Sequence, residues 1–157
     1  MLRIASLFVA LLTATMTHAD DMSAREGWTV LPTGKSHDQL VNDLKAAVKQ
    51  NGLIVVTQAG PTKAAAARGI TIPGNRVIGV FNNDFAVRVL ELSTAAMIEA
   101  PIRFYVTENA DGTATLSYKT PSFVFAPYTD GGTELQAIAQ DLDTRFDTIA
   151  KSVASSQ

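Results

Sequence analysis

The chain contains no cysteine among its 157 residues. Disulfide frameworks, thiol nucleophiles and thiolate metal sites are therefore excluded, and the hydrophobic core must hold the fold without cross-links. A basic excess is also missing, since 13 Lys and Arg stand against 15 Asp and Glu, giving a formal net charge of −2. Because the basic residues form no cluster, we expect no binding to nucleic acid.

Histidine is almost as scarce, with two residues in the chain. His37 lies where a helix is expected to begin, which predicts an exposed imidazole rather than a metal ligand. Ser117 and Ser122 then lack a histidine that could activate them, which argues against a Ser-His-Asp hydrolase. Neither a phosphate-binding glycine loop nor a dinucleotide fingerprint is present. We therefore expect no metal, no cofactor and no recognisable catalytic motif.

Acidic residues offer no better catalytic pair. Glu99 with Glu108, or Glu108 with Asp111, has the composition of a glycosidase acid/base pair. All three lie at expected strand ends or turns, where solvated carboxylates are common. An enzyme built from Tyr, Asn and carboxylates alone is thus the weakest of the functional hypotheses.

The N-terminus has the pattern of a secretory signal peptide over residues 1–19. A positive head containing Arg3 precedes the apolar run Ile4–Met16, and Thr17 and Ala19 are the small residues that a signal peptidase reads. The run is shorter than the roughly 20 residues that a spanning helix needs. We expect cleavage after Ala19, no membrane span afterwards, and a single domain over residues 20–157 in the periplasm or the medium.

Hydrophobic periodicity predicts two clear helices. Ser36 and Gln39 form a capping box before the first, and Gly52 ends it. The C-terminal helix has apolar residues at three- and four-residue steps from Leu135 to Val153, and we expect Thr133 to cap it with Gln136. On its solvent-exposed face, oppositely charged residues lie four apart, and we expect Asp141 to pair with Arg145 and Asp147 with Lys151.

Strands are predicted on both sides of the first helix and in a later hairpin. Trp28–Leu31 precedes the helix, and the unbroken apolar run Leu53–Val56 follows it, which indicates a strand covered on both faces. Ile102–Thr107 and Thr113–Tyr118 alternate apolar and polar residues around a tight turn at Asp111 and Gly112. One face of this hairpin should meet the core and the other should meet water or a partner.

Two segments between these elements give weaker patterns. Thr62–Arg68 is expected to be a short Ala-rich helix that starts after Pro61 and ends at Gly69. Phe85–Ser93 fits a strand or a helix, and we favour a helix. The strand Val77–Phe81 would then end at Asn82 and Asn83, which cap the following helix or, alternatively, bind an anion or a polar ligand at the helix start.

An ordered set of short motifs resembles the domain of unknown function 302 family. The set consists of Gly79–Asp84, Thr94–Met97 leading to Pro101, Leu116–Tyr118, and Pro121–Phe123 with Tyr128. The likeness extends from about His37 to Val153. It implies an α+β fold in which a single antiparallel sheet packs under a long C-terminal helix, in the order β-α-β(4)-α, similar to the TATA-binding-protein-like architecture, with no implied DNA binding.

Some family positions are changed in this chain. The resemblance matches at Asn83, Pro101, Ser117, Tyr118 and Pro121. Asn82 stands where the family has Gly, and Asp84 stands where it has Pro. A His that members often carry after the second strand has no counterpart, because Ala59–Pro61 occupies that stretch. Any family chemistry that depends on this His is therefore not expected here.

The functional hypothesis is a non-enzymatic, exported domain that binds a small molecule between the sheet and the C-terminal helix. Aromatic walls and a few polar anchors would form such a site. A protein-interaction module or homodimer is the alternative, using Arg103, Tyr105 and Thr115 on the exposed hairpin face. The candidate ligand-binding residues are Phe81, Asn82, Asn83, Pro101, Tyr118 and Phe123.

Overall fold

A computed structural model describes residues 22–155. The signal peptide predicted for residues 1–19 lies outside the described residues. The strands are β1 (Trp28–Thr33), β2 (Ile54–Ala59), β3 (Asn75–Phe81), β4 (Ile102–Glu108) and β5 (Ala114–Lys119). The α-helices are α1 (His37–Gln50), α2 (Thr62–Ala66), α3 (Asn83–Leu92), α4 (Pro121–Phe125) and α5 (Gly132–Ser155), and 3-10 helices lie at Ala96–Glu99 and Thr129–Gly131.

The five strands form one open antiparallel sheet in the order β1-β5-β4-β3-β2. The order along the chain is therefore β-α-β(4)-α with short additional helices, which confirms the predicted fold class. The sheet is not closed, because β1 and β2 are its two edges. No helix within residues 22–155 has the length and apolar character needed to cross a membrane.

Both long helices cover the same face of the sheet, and the core lies between them and the strands. On β4 the side chains of Ile102, Phe104 and Val106 are buried, as their alternation predicts. The ring of Phe104 stacks on Phe146 of α5, with 4.3 Å between the ring centroids. This aromatic pair joins the middle of the sheet to the middle of the C-terminal helix.

Local signals account for most element boundaries. The predicted capping box of α1 is present, because the Ser36 side chain accepts from the Gln39 amide and the Gln39 side chain accepts from the Ser36 amide. The hairpin turn places Gly112 at φ +82°, a conformation that glycine adopts without steric cost. The start of α5 differs from the prediction. Thr133 is its second residue rather than its cap, because the 3-10 turn Thr129–Gly131 leads directly into the helix.

Three further expectations were wrong. The run that includes β2 is not covered on both faces, since Ile54 is 57% and Val56 is 45% exposed. The reason is position, because β2 pairs only with β3 and ends the sheet. Arg145 does not pair with Asp141 but donates a 3.0 Å hydrogen bond to the carbonyl of Asn51.

The third expectation concerns the hairpin face that points away from the helices. Ser117 and Thr115 on β5 were expected to meet water or a partner, yet they are 0% and 3% exposed. Ser117 lies between Tyr105 on β4 and Val30 on β1 in the sheet register. Small side chains between larger neighbours lose their contact with water even on a face that no helix covers. Asp147 and Lys151 do form their predicted pair, with 2.7 Å between the charged atoms.

Candidate ligand cavities

The gap between the sheet and α5 is almost filled. What remains is an interior cavity of about 40 Å³, lined by side chains that include Phe81, Asn82, Phe85, Phe125 and Phe146. A volume of this size suits a water molecule or a methyl group, whereas small-molecule pockets usually measure roughly 300 to 1,000 Å³. The gap as it stands therefore has no room for an organic ligand.

Asn82 at the edge of the interior cavity has a structural task. Its side-chain oxygen accepts a 3.1 Å hydrogen bond from the amide of Phe85 and so caps α3. Its side-chain nitrogen donates a 2.9 Å hydrogen bond to the carbonyl of Gly52. The capping explanation of the polar residues that follow β3 accounts for Asn82 without a ligand.

A larger cavity of about 440 Å³ lies on the face of the sheet that points away from α1 and α5, and we call it the open-face cavity. Its lining includes Trp28, Val77, Glu99, Arg103, Tyr105 and Lys119. The register explains how these residues come together, because Trp28 on β1 lies opposite Lys119 on β5, and Tyr105 on β4 lies opposite Val77 on β3. Aromatic and aliphatic surfaces from four strands thus border one concave space.

Cations surround the aromatic wall of the open-face cavity. The Lys119 ammonium lies 5.8 Å and the Arg25 guanidinium 5.4 Å from the centroid of the Trp28 ring. Both distances are within the range of a cation–π interaction. Lys119 forms no ion pair with any residue of the described range 22–155.

Glu99 is the one carboxylate in the lining of the open-face cavity, and its oxygens are already engaged. The Tyr128 hydroxyl donates a 2.6 Å hydrogen bond to one oxygen, and Arg103 lies 3.9 Å from the other. The Glu99 carboxylate raises the pKa of Tyr128, because the hydrogen bond favours the protonated phenol and the negative charge opposes ionisation. Because Arg103 balances Glu99, the charge that remains in the lining is the positive charge of Lys119.

The six residues expected to form one site are not brought together. Phe81 and Asn82 line the interior cavity, and Tyr118 borders the open-face cavity. Asn83 is exposed at the start of α3 and lines neither cavity.

Pro101 and Phe123 also lie outside both cavities, each against a glycine. A Cβ atom on Gly79 would lie 2.9 Å from the Pro101 ring, so the absence of a side chain at Gly79 makes room for the proline. Phe123 is 40% exposed and covers Gly27 in the same way.

Tyr118 is the predicted residue that reaches the larger cavity, although most of its ring belongs to the core. It is 3% exposed, and its ring packs edge-on against Phe104 with centroids 5.3 Å apart. Burial raises the pKa of Tyr118, and the carboxylates of Asp147 and Asp143 act in the same direction, while a hydrogen bond with Thr29 opposes them. The phenol is thus held in its neutral form.

Within residues 22–155, no three His, Asp or Glu side chains are grouped so that they could hold a metal ion. His37 is less exposed than expected, with 12% of its side chain accessible. The ring packs against Gly74, where a Cβ atom would lie 2.6 Å from the imidazole.

Comparison with known proteins places the fold. Residues 29–153 match the model of the family described as "Domain of unknown function DUF302". A crystal structure of an uncharacterised conserved DUF302 protein from Bacillus stearothermophilus superposes with a TM-score of 0.72 at 19% sequence identity, covering 81% of this chain and 98% of that one. At this identity the likeness concerns the fold alone. No curated protein matches the chain.

Proposed function

Since this chain belongs to the DUF302 family, whose fold by itself specifies no activity, we propose a function from its cavities: it binds a small ring compound that carries an acidic group. The open-face cavity is the proposed site. This site lies on the opposite side of the sheet from the gap under α5. The sequence alone had suggested ligand binding in that gap.

The observation that carries the proposal is the combination of volume and lining. About 440 Å³ is enough for a ring system of drug-like size. Trp28 and Tyr105 provide flat apolar surfaces, which favour the face of a ring. Lys119 adds a positive charge that has no paired carboxylate among the described residues, whereas Arg103 lies beside Glu99, which also accepts a hydrogen bond from Tyr128. An acidic group on the ligand would complete this set of charges.

A protein-interaction role for the same face remains the alternative. It was expected to use Arg103, Tyr105 and Thr115. Arg103 is accessible, with 59% of its side chain exposed. Thr115 offers almost no surface, since it is 3% exposed. The concave cavity therefore favours a small ligand over a flat protein partner.

Trp28 makes the proposal directly testable, because it is the one tryptophan of the chain and it lines the cavity. The probes are 1-anilinonaphthalene-8-sulfonate, which joins rings to an anionic group, and N-phenyl-1-naphthylamine, which has the rings without the acid. Each is titrated into the protein while Trp28 fluorescence is recorded. We expect saturable quenching by both probes and tighter binding of the sulfonate.

Two variants locate the binding. Tyr105→Ala should weaken both probes by about fivefold, because a ring–ring contact is lost. Asn83→Ala is the control, since Asn83 is exposed and lines neither cavity, and it should change nothing. Circular dichroism must show that each protein stays folded. If neither probe gave saturable quenching of Trp28, the proposal would be refuted. Sedimentation velocity on the same samples tests the dimer alternative.

We also propose that the protein works outside the cytoplasm. The support is the pattern of residues 1–19, which combines a positive head, an apolar run and small residues at the expected cleavage position. A ligand retained from that compartment would be visible by native mass spectrometry of protein purified from its own periplasm.

A further inference from the structure

A further cavity of about 380 Å³, with a polar lining, lies at the beginning of α1, and we call it the α1-start cavity. Its lining includes Ser36, His37, Lys63, Gly74, Arg76 and Glu108. These residues come from α1, α2, β3 with the loop before it, and the end of β4. Neither the interior cavity nor the open-face cavity shares these side chains.

Two buried nitrogen atoms of the α1-start cavity residues have no hydrogen-bond partner among residues 22–155. They are Nε2 of His37 and Nε of Arg76. Buried polar groups in folded proteins are nearly always paired, and leaving one unpaired costs about 1 to 3 kcal/mol. Two such groups on residues that line one cavity point to a polar molecule or ion that completes their bonding.

The cations of the α1-start cavity form no close ion pairs with the described residues, although the carboxylates of Asp38 and Glu108 also line the cavity. Neither Arg76 nor Lys63 forms an ion pair within the described range. The nearby carboxylates are occupied or solvated. Glu108 accepts a 2.5 Å hydrogen bond from the amide of Gly74, and the Asp38 side chain is 96% exposed and lies 3.3 Å from Nδ1 of His37.

The unpaired atoms decide the class of ligand, because Nε of Arg76 can only donate a hydrogen bond and therefore needs an acceptor. A metal ion cannot accept that hydrogen bond, and the guanidinium of Arg76 and the ammonium of Lys63 would repel it. An oxyanion would gain charge-assisted hydrogen bonds from both. The Ser36 hydroxyl is already engaged with Gln39 in the cap of α1, so the donors come from side chains rather than from the helix start.

We propose that the α1-start cavity binds a small tetrahedral oxyanion, of the phosphate or sulfate type, between Arg76 and Lys63, with His37 as a further partner. Arg76 supplies the planar donor pair that suits two oxygens of such an anion, and Lys63 on α2 supplies a second positive charge.

The test is a calorimetric titration of the purified protein with inorganic phosphate, with chloride used to keep the ionic strength constant. We expect saturable binding with one site. Arg76→Gln should weaken it by about tenfold or more, as expected for lost hydrogen bonds between charged groups. Lys63→Gln, at an exposed position, should weaken it by roughly threefold.

Lys49→Gln is the matched control, because it removes the same charge from the last turn of α1, at the far end from the cavity. Phosphate affinity should stay within about twofold of the natural chain, as is typical for a distant solvated charge. Equal losses in Lys49→Gln and Lys63→Gln would overturn the proposal, because they would show a general charge effect. Failure to observe saturable phosphate binding by the natural chain would overturn it as well.

Discussion

The side-chain amide of Asn82 donates a 2.9 Å hydrogen bond to the carbonyl of Gly52, while its oxygen caps α3 by accepting from Phe85. One side chain therefore ties the end of β3 both to the start of the next helix and to the turn that leads into β2. Bonds of this kind link segments that are distant along the chain but adjacent in the sheet.

Replacing Asn82 by Ala should lower the free energy of unfolding by about 1 to 2 kcal/mol, which is the usual cost of losing a helix cap. Asn82→Asp keeps the capping oxygen and loses the donor to Gly52, so its cost should be smaller. Urea denaturation measures both. Asn83→Ala, at the exposed neighbouring position, should stay within about 0.5 kcal/mol of the natural chain. An Asn83 effect as large as that of Asn82 would contradict the assignment of the cap.

Short-range sequence patterns were enough to predict most of the helices and strands and the fold class. The Ser36 capping box, the alternation along β4 and the apolar stripe of α5 each depend on residues close together in the chain, where periodicity is informative. The place of β2 in the sheet was not predictable in this way. Its apolar run resembles a central strand, yet edge or centre is decided by which strands pair, and pairing joins residues far apart in sequence.

The candidate site was harder to predict for the same reason. Trp28 and Lys119 meet because β1 pairs with β5, across more than half the chain. Nothing near either residue indicates this register. The sequence did suggest that Tyr105 and Arg103 point away from the core, and that alternation is the signal from which the open-face cavity could have been found. The volume left between the sheet and α5 depends on how the rings of Phe146 and Phe104 stack. Hydrophobic periodicity does not predict this packing.

Tyr118 should make the protein sensitive to alkaline pH. Burial raises its pKa, so the folded chain holds the phenolic proton to a higher pH than the unfolded chain does. The stability that this provides is fully present below about pH 10 and is lost as the pH rises through the raised pKa. The thermal unfolding midpoint of the natural chain should therefore fall as the pH rises above about 10.

The matched variant for this pH dependence is Tyr118→Phe, which removes the titrating group and keeps the ring. Its midpoint should fall less over the same alkaline range. Between about pH 6 and about pH 8 the unfolding midpoints of the two proteins should change with pH in parallel, because the phenol of Tyr118 is neutral in both the folded and the unfolded state there. An equal decrease of the unfolding midpoint with alkaline pH in the two proteins would contradict a contribution of Tyr118 to this pH dependence.

Export can be tested by protein chemistry. We expect the protein recovered from outside the cytoplasm to begin at Asp20, since Thr17 and Ala19 match the small-residue pattern of a cleavage site. N-terminal sequencing or intact-mass analysis gives the answer. Ala19→Arg should block cleavage and leave the longer chain, because a signal peptidase requires a small residue there. Recovery of the full 157-residue chain in the cytoplasm would contradict this prediction.

Phe146→Ala tests whether the gap under α5 is closed by packing alone. The Phe146 ring lines the interior cavity of about 40 Å³ and stacks on Phe104, so its removal should cost about 3 to 5 kcal/mol and enlarge the void. An apolar void of sufficient size binds benzene. Benzene should therefore raise the thermal midpoint of the variant and leave that of the natural chain unchanged. Phe146→Leu serves if the alanine variant is unfolded.

The control for this cavity experiment is Phe123→Ala, which removes the same ring from a position that is 40% exposed. Water fills the space left by an exposed ring, so this variant should lose about 1 kcal/mol and gain no response to benzene. Stabilisation of the natural chain by benzene, together with loss of that effect in Tyr105→Ala, would place the benzene in the open-face cavity. If the effect survived in Tyr105→Ala, the gap under α5 would have to open in solution, and ligand binding there would again be the better explanation.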